Sequence, residues 1–370
     1  MTDFNQLTRQ ALNGIKPYVP GKPIEEVQRE YGLTDIIKLA SNENPLGPAP
    51  KAVEAVQKGL VNAHIYPDGS CYQLRQALAA FQGLDAGCFI VGNGSDEIIK
   101  LLAEAFINEG DEAIMGQPSF SEYDFAVTLM GGKMVKVPVK EDFALDLDAM
   151  AGAINERTKL IFLCNPNNPT GAIVTGKEIE AFLDRVPGNI VVVFDEAYFE
   201  YVEDPEYRSG LEFLKEGRPN VMVLRTFSKI YGLAGLRIGY GMAQPELIQW
   251  VNRAREPFNV NSLAQWGARA ALEDTEFIAK SRRVNNQGKE YLYRAFQDRG
   301  IKYIPTHTNF IFADVGVDSK ALFTAMLKKG VIIRTGDIFG YPTFIRVTIG
   351  TPEENRRFIE VLDETLKELR

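Results

Sequence analysis

TFSKIYGLAGLRIGYG, residues 226–241, places Lys229 between a serine and a glycine-rich run, just after the apolar segment Val221, Met222, Val223 and Leu224. A lysine at the end of a buried strand loses hydration free energy unless it is paired or used covalently. Taken alone, Lys229 reads first as a surface residue, its stem along the protein and its head group in water. Only other parts of the chain can overturn that reading.

Outward from this stretch, short apolar runs alternate with helical patterns between about residue 50 and about residue 255. That is the signature of a mostly parallel sheet covered by helices. The expected strands are 88–91, 112–115, 160–163, 190–194, 221–224 and 238–242, and each is followed by small or polar residues such as GNGSDE, GQPSF, CNPNNPTG, DEAY or RTFSK. Ligands of open α/β sheets bind outside the carboxyl ends of the strands, so these segments are expected to gather around one crevice. In SDEIIKLLAEAF, Ile98, Ile99, Leu101, Leu102, Ala105 and Phe106 form a helical apolar stripe with Ser95 as the expected cap. After VNRAREPFNVNSLAQ the texture becomes helix-rich, then strands 309–315, 331–334 and 344–349 alternate with helices. The expectation is an α/β protein: a large domain over 46–255, with a mostly parallel seven-stranded sheet flanked by helices, and a smaller α+β domain over 1–45 and 256–370.

Composition narrows the function. The 370 residues carry 41 Lys plus Arg against 49 Asp plus Glu, a net charge of −8, with no basic block, so neither nucleic acid nor an anionic membrane is expected as partner. No apolar run reaches membrane-spanning length and the first residues lack a signal-peptide core. Cys71, Cys88 and Cys164 have no metal-ligand spacing, so no metal is expected and reduced cysteines of a cytoplasmic protein are the simplest account.

The strand-end residues make sense as a set. VVVFDEAY puts Asp195 after an apolar run, where a carboxylate is costly without a cation; it caps a turn, pairs with an arginine, or holds a protonated ring nitrogen. CNPNNPTG is a rigid turn that can present the amide of Asn168. GNGSDE before a helix suits an anion, with Thr226, Ser228 and Arg237 as further donors. Gly92 and Gly94 are present but Glu97 stands where a dinucleotide fingerprint needs a third glycine, so a single phosphate fits better than a pyrophosphate. A phosphate arm, a ring nitrogen needing a carboxylate, a ring oxygen needing donors and an aldehyde needing an amine together describe pyridoxal 5′-phosphate.

With these residues in order, the sequence resembles the fold-type I, aspartate-aminotransferase-like pyridoxal-phosphate enzymes, and within them the histidinol-phosphate aminotransferases. LASNENPLGPAP, YPDGSCYQLR, GNGSDEII, NPNNPTG, DEAYFEY, TFSKIYGLAGLRIGYG, PFNVNSLAQ and IRVTIGT carry the resemblance over nearly the whole chain. It implies that Lys229 binds the cofactor covalently and then acts as base, that Asp195 partners the ring nitrogen, and that Asn168 and Tyr198 bond the ring oxygen. Gly94, Ser95, Asp96, Thr226, Ser228 and Arg237 would hold the phosphate, Phe120 would stack on the ring, and Tyr66 would reach the cofactor of a neighbouring subunit. The resemblance also implies a homodimer with shared active sites. Arg346 in FIRVTIG resembles the arginine that binds substrate carboxylate, Arg334 in VIIRTG is a second candidate cation, and Tyr18 and Asn44 resemble positions that close over substrate; a structural arm is an equal reading of Tyr18. The implied reaction is transamination between L-histidinol phosphate as amino donor and 2-oxoglutarate as 2-oxo acid acceptor. An aromatic amino acid aminotransferase is the alternative, and a decarboxylase of a phosphorylated amino acid shares the fold. A catalytically silent binding module would lack one of Lys229, Asp195 or Asn168, and all three are present.

Overall fold

The computed structural model describes residues 7–15 and 21–370; Tyr18 lies outside them. The strands, in chain order, are β1 (Ile37–Lys38), β2 (Phe89–Gly92), β3 (Glu112–Gln117), β4 (Lys133–Pro138), β5 (Thr158–Cys164), β6 (Val191–Asp195), β7 (Val221–Thr226), β8 (Gly239–Ala243), β9 (Lys302–Tyr303), β10 (Phe310–Asp314), β11 (Val331–Ile332), β12 (Arg334–Thr335) and β13 (Phe344–Thr348). Seven of them form the large sheet in the order β2-β8-β7-β6-β5-β3-β4. Its neighbours run parallel except β8, which is antiparallel to both β2 and β7.

The central strands are apolar on both faces because helices cover both. Ile161, Leu163, Val192 and Phe194 enter one core, while Leu160, Phe162, Val191 and Val193 enter the other, so the period-2 alternation is hidden in a continuous apolar run. β4 escaped the sequence reading for the opposite reason: as an edge strand, KMVKVP carries two exposed lysines, only Val137 is fully buried, and it ends in an exposed proline. Ser95 also differs from expectation. The helix Gly94–Phe106 starts two residues earlier than a Ser95 cap would give, with Asn93 at the N-cap, and Glu97 Oε2 accepts the Asn93 N–H at 2.6 Å.

Beyond the large sheet, β12-β13-β10-β9 form an antiparallel sheet and β1 pairs with β11 in parallel. The expected strand 331–334 is split: buried Ile333 separates β11, which joins β1, from β12, which joins β13. Leu39 packs with Leu292, Phe296, Ile311, Val347 and Phe358 in this second core. The last helix, Pro352–Leu369, starts with a capping box in which Thr351 and Glu354 satisfy each other's backbone N–H groups.

This topology aims the site. β2, β3, β5, β6 and β7 end at one edge of the large sheet, and antiparallel β8 begins there, its Gly239 opposite Thr226 at the end of β7. Arg237 is therefore delivered to the same edge as Asp195, although the two lie at opposite ends of their strands.

Candidate active site

A cavity of about 430 Å³ opens at that edge. Gly94, Ser95, Asp96, Phe120, Asn168, Asp195, Tyr198, Thr226, Ser228, Lys229, Arg237, Arg334 and Arg346 all line it. Two expected residues do not. Asn44 is buried nearby, with its Nδ2 donating to Ile230 O at 2.8 Å and to Ser281 Oγ at 3.0 Å, so it braces the lysine loop from behind instead of facing the cavity. Tyr66 is 80% exposed and rests against Phe258, with ring centroids 5.1 Å apart.

Lys229 follows β7 and is half-buried; burial first, and the nearby Arg346 guanidinium second, bring its ammonium down to about 8. At neutral pH part of the population is therefore an uncharged amine. Asp195 is the last residue of β6 and 3% exposed. Burial pushes its carboxyl up to about 6 against the pull of two donors, the Tyr123 hydroxyl at 2.6 Å and the Ala197 N–H at 3.2 Å. It makes no ion pair among the described residues.

At the GNGSDE turn, Gly94 has φ +77°, and a Cβ there would come within 2.9 Å of Arg237 Nη2. A Cβ on Gly239 would come within 2.6 Å of the Ser95 N. The two glycines bring backbone N–H groups, the helix N-terminus and Arg237 around one small space. Thr226 Oγ1 accepts the Ser228 N–H at 3.0 Å, and Arg237 Nη2 lies 2.9 Å from Asp96 Oδ2.

Across the cavity, Tyr198 OH accepts from Asn42 Nδ2 at 3.0 Å, which leaves the phenol its own proton to donate. Asn168 Oδ1 accepts from Arg346 Nη1 at 2.6 Å, so its NH2 end is the one left to donate. The turn carrying Asn168 is fixed from behind: Gly171 has φ +76°, and a Cβ there would meet Thr306 Oγ1 at 2.1 Å. Arg346 also donates to Ala40 O at 2.8 Å and lies over the Phe310 ring. Arg334 stands directly opposite Arg346 across the β12–β13 pair, so both guanidinium groups leave the sheet on the same face.

Sequence reasoning missed Asn42 and Tyr123. Asn42 sits between better-marked neighbours in LASNENPLG, and its one structural sign is a left-handed φ of 58° that asparagine tolerates. Tyr123 lies in the first turn of the helix Glu122–Leu129, and its partner Asp195 is 72 residues away in sequence, so no local pattern marks it.

The donor set fits pyridoxal 5′-phosphate. It offers a partly neutral half-buried amine, a buried carboxylate without a cation, a phenol and an amide with protons to give, and an anion cradle that a Cβ would fill. Fold and site together define a pyridoxal-phosphate-dependent enzyme of the aspartate-aminotransferase architecture.

The comparisons with known proteins carry the identification further. The family model described as aminotransferase class I and II matches residues 34–362, and the chain belongs to that family; it is an aminotransferase. It is 58% identical over 358 residues to the histidinol-phosphate aminotransferase of Moorella thermoacetica, covering 97% of this chain and 92% of that one. It is 50% identical to histidinol-phosphate aminotransferase 2 of Carboxydothermus hydrogenoformans, covering 98% and 99%. Among solved structures, the Sinorhizobium meliloti histidinol-phosphate aminotransferase in complex with pyridoxal-5′-phosphate superposes with a TM-score of 0.90 at 26% identity, covering 98% of each chain.

Proposed function

We propose that this aminotransferase moves the amino group of L-histidinol phosphate to 2-oxoglutarate, giving imidazole-acetol phosphate and glutamate, in histidine biosynthesis. The observation that carries the substrate is the cross-strand pair Arg334 and Arg346 at the cavity. Like charges directly opposite on adjacent strands repel, and an anion able to engage both forks offsets that cost. A phosphate dianion can use two guanidinium groups, whereas an aromatic amino acid brings one carboxylate. The names of the relatives point the same way and do not favour the aromatic alternative.

In this reading Lys229 would hold the cofactor, Asp195 would face its ring nitrogen, Tyr198 and Asn168 its ring oxygen, and Phe120 its ring face. Gly94, Ser95, Asp96, Thr226, Ser228 and Arg237 would cradle its phosphate. When bound, pyridoxal 5′-phosphate supplies an acceptor for the electrons left behind as the substrate Cα proton departs. Lys229 Nζ would accept that Cα proton as a base and, as the resulting ammonium, donate it back to complete the transfer; an amine near neutrality can do both. Arg346 and Arg334 fix the substrate anion, and Arg346 spans to Asn168, so binding and ring contacts share one residue.

The same reading makes the protein a cytoplasmic homodimer. No helix among the described residues is long and apolar enough to cross a membrane, and Cys71, Cys88 and Cys164 are free and buried. Tyr66 is exposed and packs on exposed Phe258 outside its own cavity, where a second copy would receive it. The division into 46–255 and a smaller unit of 1–45 with 256–370 is also our reading, supported by β1 pairing with β11 and by Leu39 in the second core.

The test is the ratio of kcat/KM for histidinol phosphate to that for phenylalanine, with 2-oxoglutarate as acceptor. A strong preference for histidinol phosphate is expected. A preference for phenylalanine would leave fold and cofactor intact and remove the substrate assignment.

A further inference from the structure

Tyr123, in PSFSEY, is fully buried, and its hydroxyl reaches Asp195 Oδ2 at 2.6 Å. Its ring stacks on Phe162, with centroids 4.6 Å apart and planes 7° apart, and meets Phe120 edge-on at 5.6 Å. Packing on both sides of the ring therefore fixes where the hydroxyl points. Burial raises the phenol well above its ordinary ionisation range, and the Asp195 charge adds to this, so Tyr123 keeps its proton and acts as donor.

We infer that Tyr123 is a positioning residue that keeps Asp195 ionised and oriented toward the cofactor's ring nitrogen, so that their shared proton rests on the ring. The surroundings of Asp195 otherwise favour the neutral acid: Cys164 stands opposite it on β5, Phe162 and Phe120 flank its donor, and the Asp96 charge opposes its ionisation, while the Lys229 ammonium pulls the other way. Besides the hydroxyl, the Ala197 N–H is the other donor to the carboxylate. A hydrogen bond to the charged form makes the carboxylate a weaker base. The proton shared by carboxylate and ring nitrogen then stays on nitrogen. Without the hydroxyl, the proton would move toward Asp195, and the ring would lose both its ion pair and its strength as electron acceptor.

This inference rests on the reading of Asp195 as ring-nitrogen partner, and the experiment separates the two. The dissociation constant of pyridoxal 5′-phosphate is measured for the wild type, Tyr123→Phe, Asp195→Asn and the double variant, each as the full chain. Tyr123→Phe keeps the ring stack and is expected to weaken binding about tenfold. In the Asp195→Asn background the same change is expected to do nothing beyond about twofold. Equal weakening in both backgrounds, or none in either, overturns the inference. Unchanged binding in Asp195→Asn alone would instead remove the ring-nitrogen reading.

The pH profile supplies a second readout. Cofactor binding should fail on the acid side as Asp195 takes up a proton, and Tyr123→Phe should move that limb upward by about one to two pH units. Phe162→Leu, which loosens one side of the packing but leaves the hydroxyl bonded, should move the limb by much less. A limb that moves equally in both variants would show a packing effect and overturn the inference.

Discussion

Asp195 and Glu196 are adjacent in sequence and almost equally buried, yet they are treated in opposite ways. Glu196 points behind the sheet, where Arg225 Nε and Nη2 donate to its Oε2 at 3.0 and 2.9 Å and Gly210 N–H donates to Oε1 at 2.6 Å. Arg225 is itself completed by Gln82 Oε1 at 3.1 Å and by the Phe199 ring below it. Asp195 points into the cavity, receives two neutral donors and has no ion pair among the described residues. A buried carboxylate with its cation present is architecture. One facing a cavity with only neutral donors is suited to binding a cationic group, and the difference shows only when burial and partners are read together.

The comparison can be broken first at its centre. Lys229→Ala removes the amine that the cavity is built around, and turnover is expected to fall by roughly 10⁴-fold or more. Borohydride reduction of the wild type should fix a pyridoxyl group on Lys229, and mass spectrometry of the variant should find none. Near-normal turnover in the variant would end the assignment. Next, the two neighbouring carboxylates should separate by property. Asp195→Asn should cost about 10²–10³-fold in kcat with little change in unfolding free energy, because the charge it removes is unpaired within the protein. Glu196→Gln leaves Arg225 buried without its counter-charge and should cost about 3 kcal/mol in denaturant unfolding. Equal stability losses in both variants would mean that the two carboxylates are structural alike.

A smaller effect sharpens the contrast at the substrate end. Arg334→Gln removes one of two opposed guanidinium groups, and a lost charged hydrogen bond should lower kcat/KM for histidinol phosphate by about 10- to 100-fold. The value for phenylalanine, whose single carboxylate Arg346 can hold, should change by less than about threefold. Parallel losses with both substrates would place Arg334 in a structural role.

The same contrast explains what was legible in the sequence. The central strands could be read because parallel strands buried on both faces leave unbroken apolar runs, and Asp195, Asn168 and Lys229 could be read because each follows such a run. β4 could not, since an edge strand half in water carries lysines. The split at Ile333 could not, because a chain passing between two sheets keeps one apolar texture. Tyr123 and Asn42 act on other site residues, and nothing in their spacing marks a partner that is distant in sequence. Asn44 shows the converse error: an asparagine in a recognisable stretch has spent its amide on Ile230 O and Ser281 Oγ.

The smallest expected effect joins the two ionisable groups that face the cavity. Covalent capture of pyridoxal 5′-phosphate by the apoprotein needs Lys229 uncharged and Asp195 charged. With Lys229 brought down to about 8 by burial, about a tenth of the amine is free at pH 7 and about nine-tenths at pH 9. The capture rate, followed by cofactor absorbance, should therefore rise about tenfold over that interval and level off above it. On the acid side it should fall more steeply below about pH 6, where Asp195 also takes up a proton. A rate that kept climbing to pH 10 would mean that Lys229 titrates as an ordinary solvated lysine. Burial would then not be what prepares the amine, and the likeness between a desolvated lysine and a desolvated aspartate in one cavity would lose its chemical meaning.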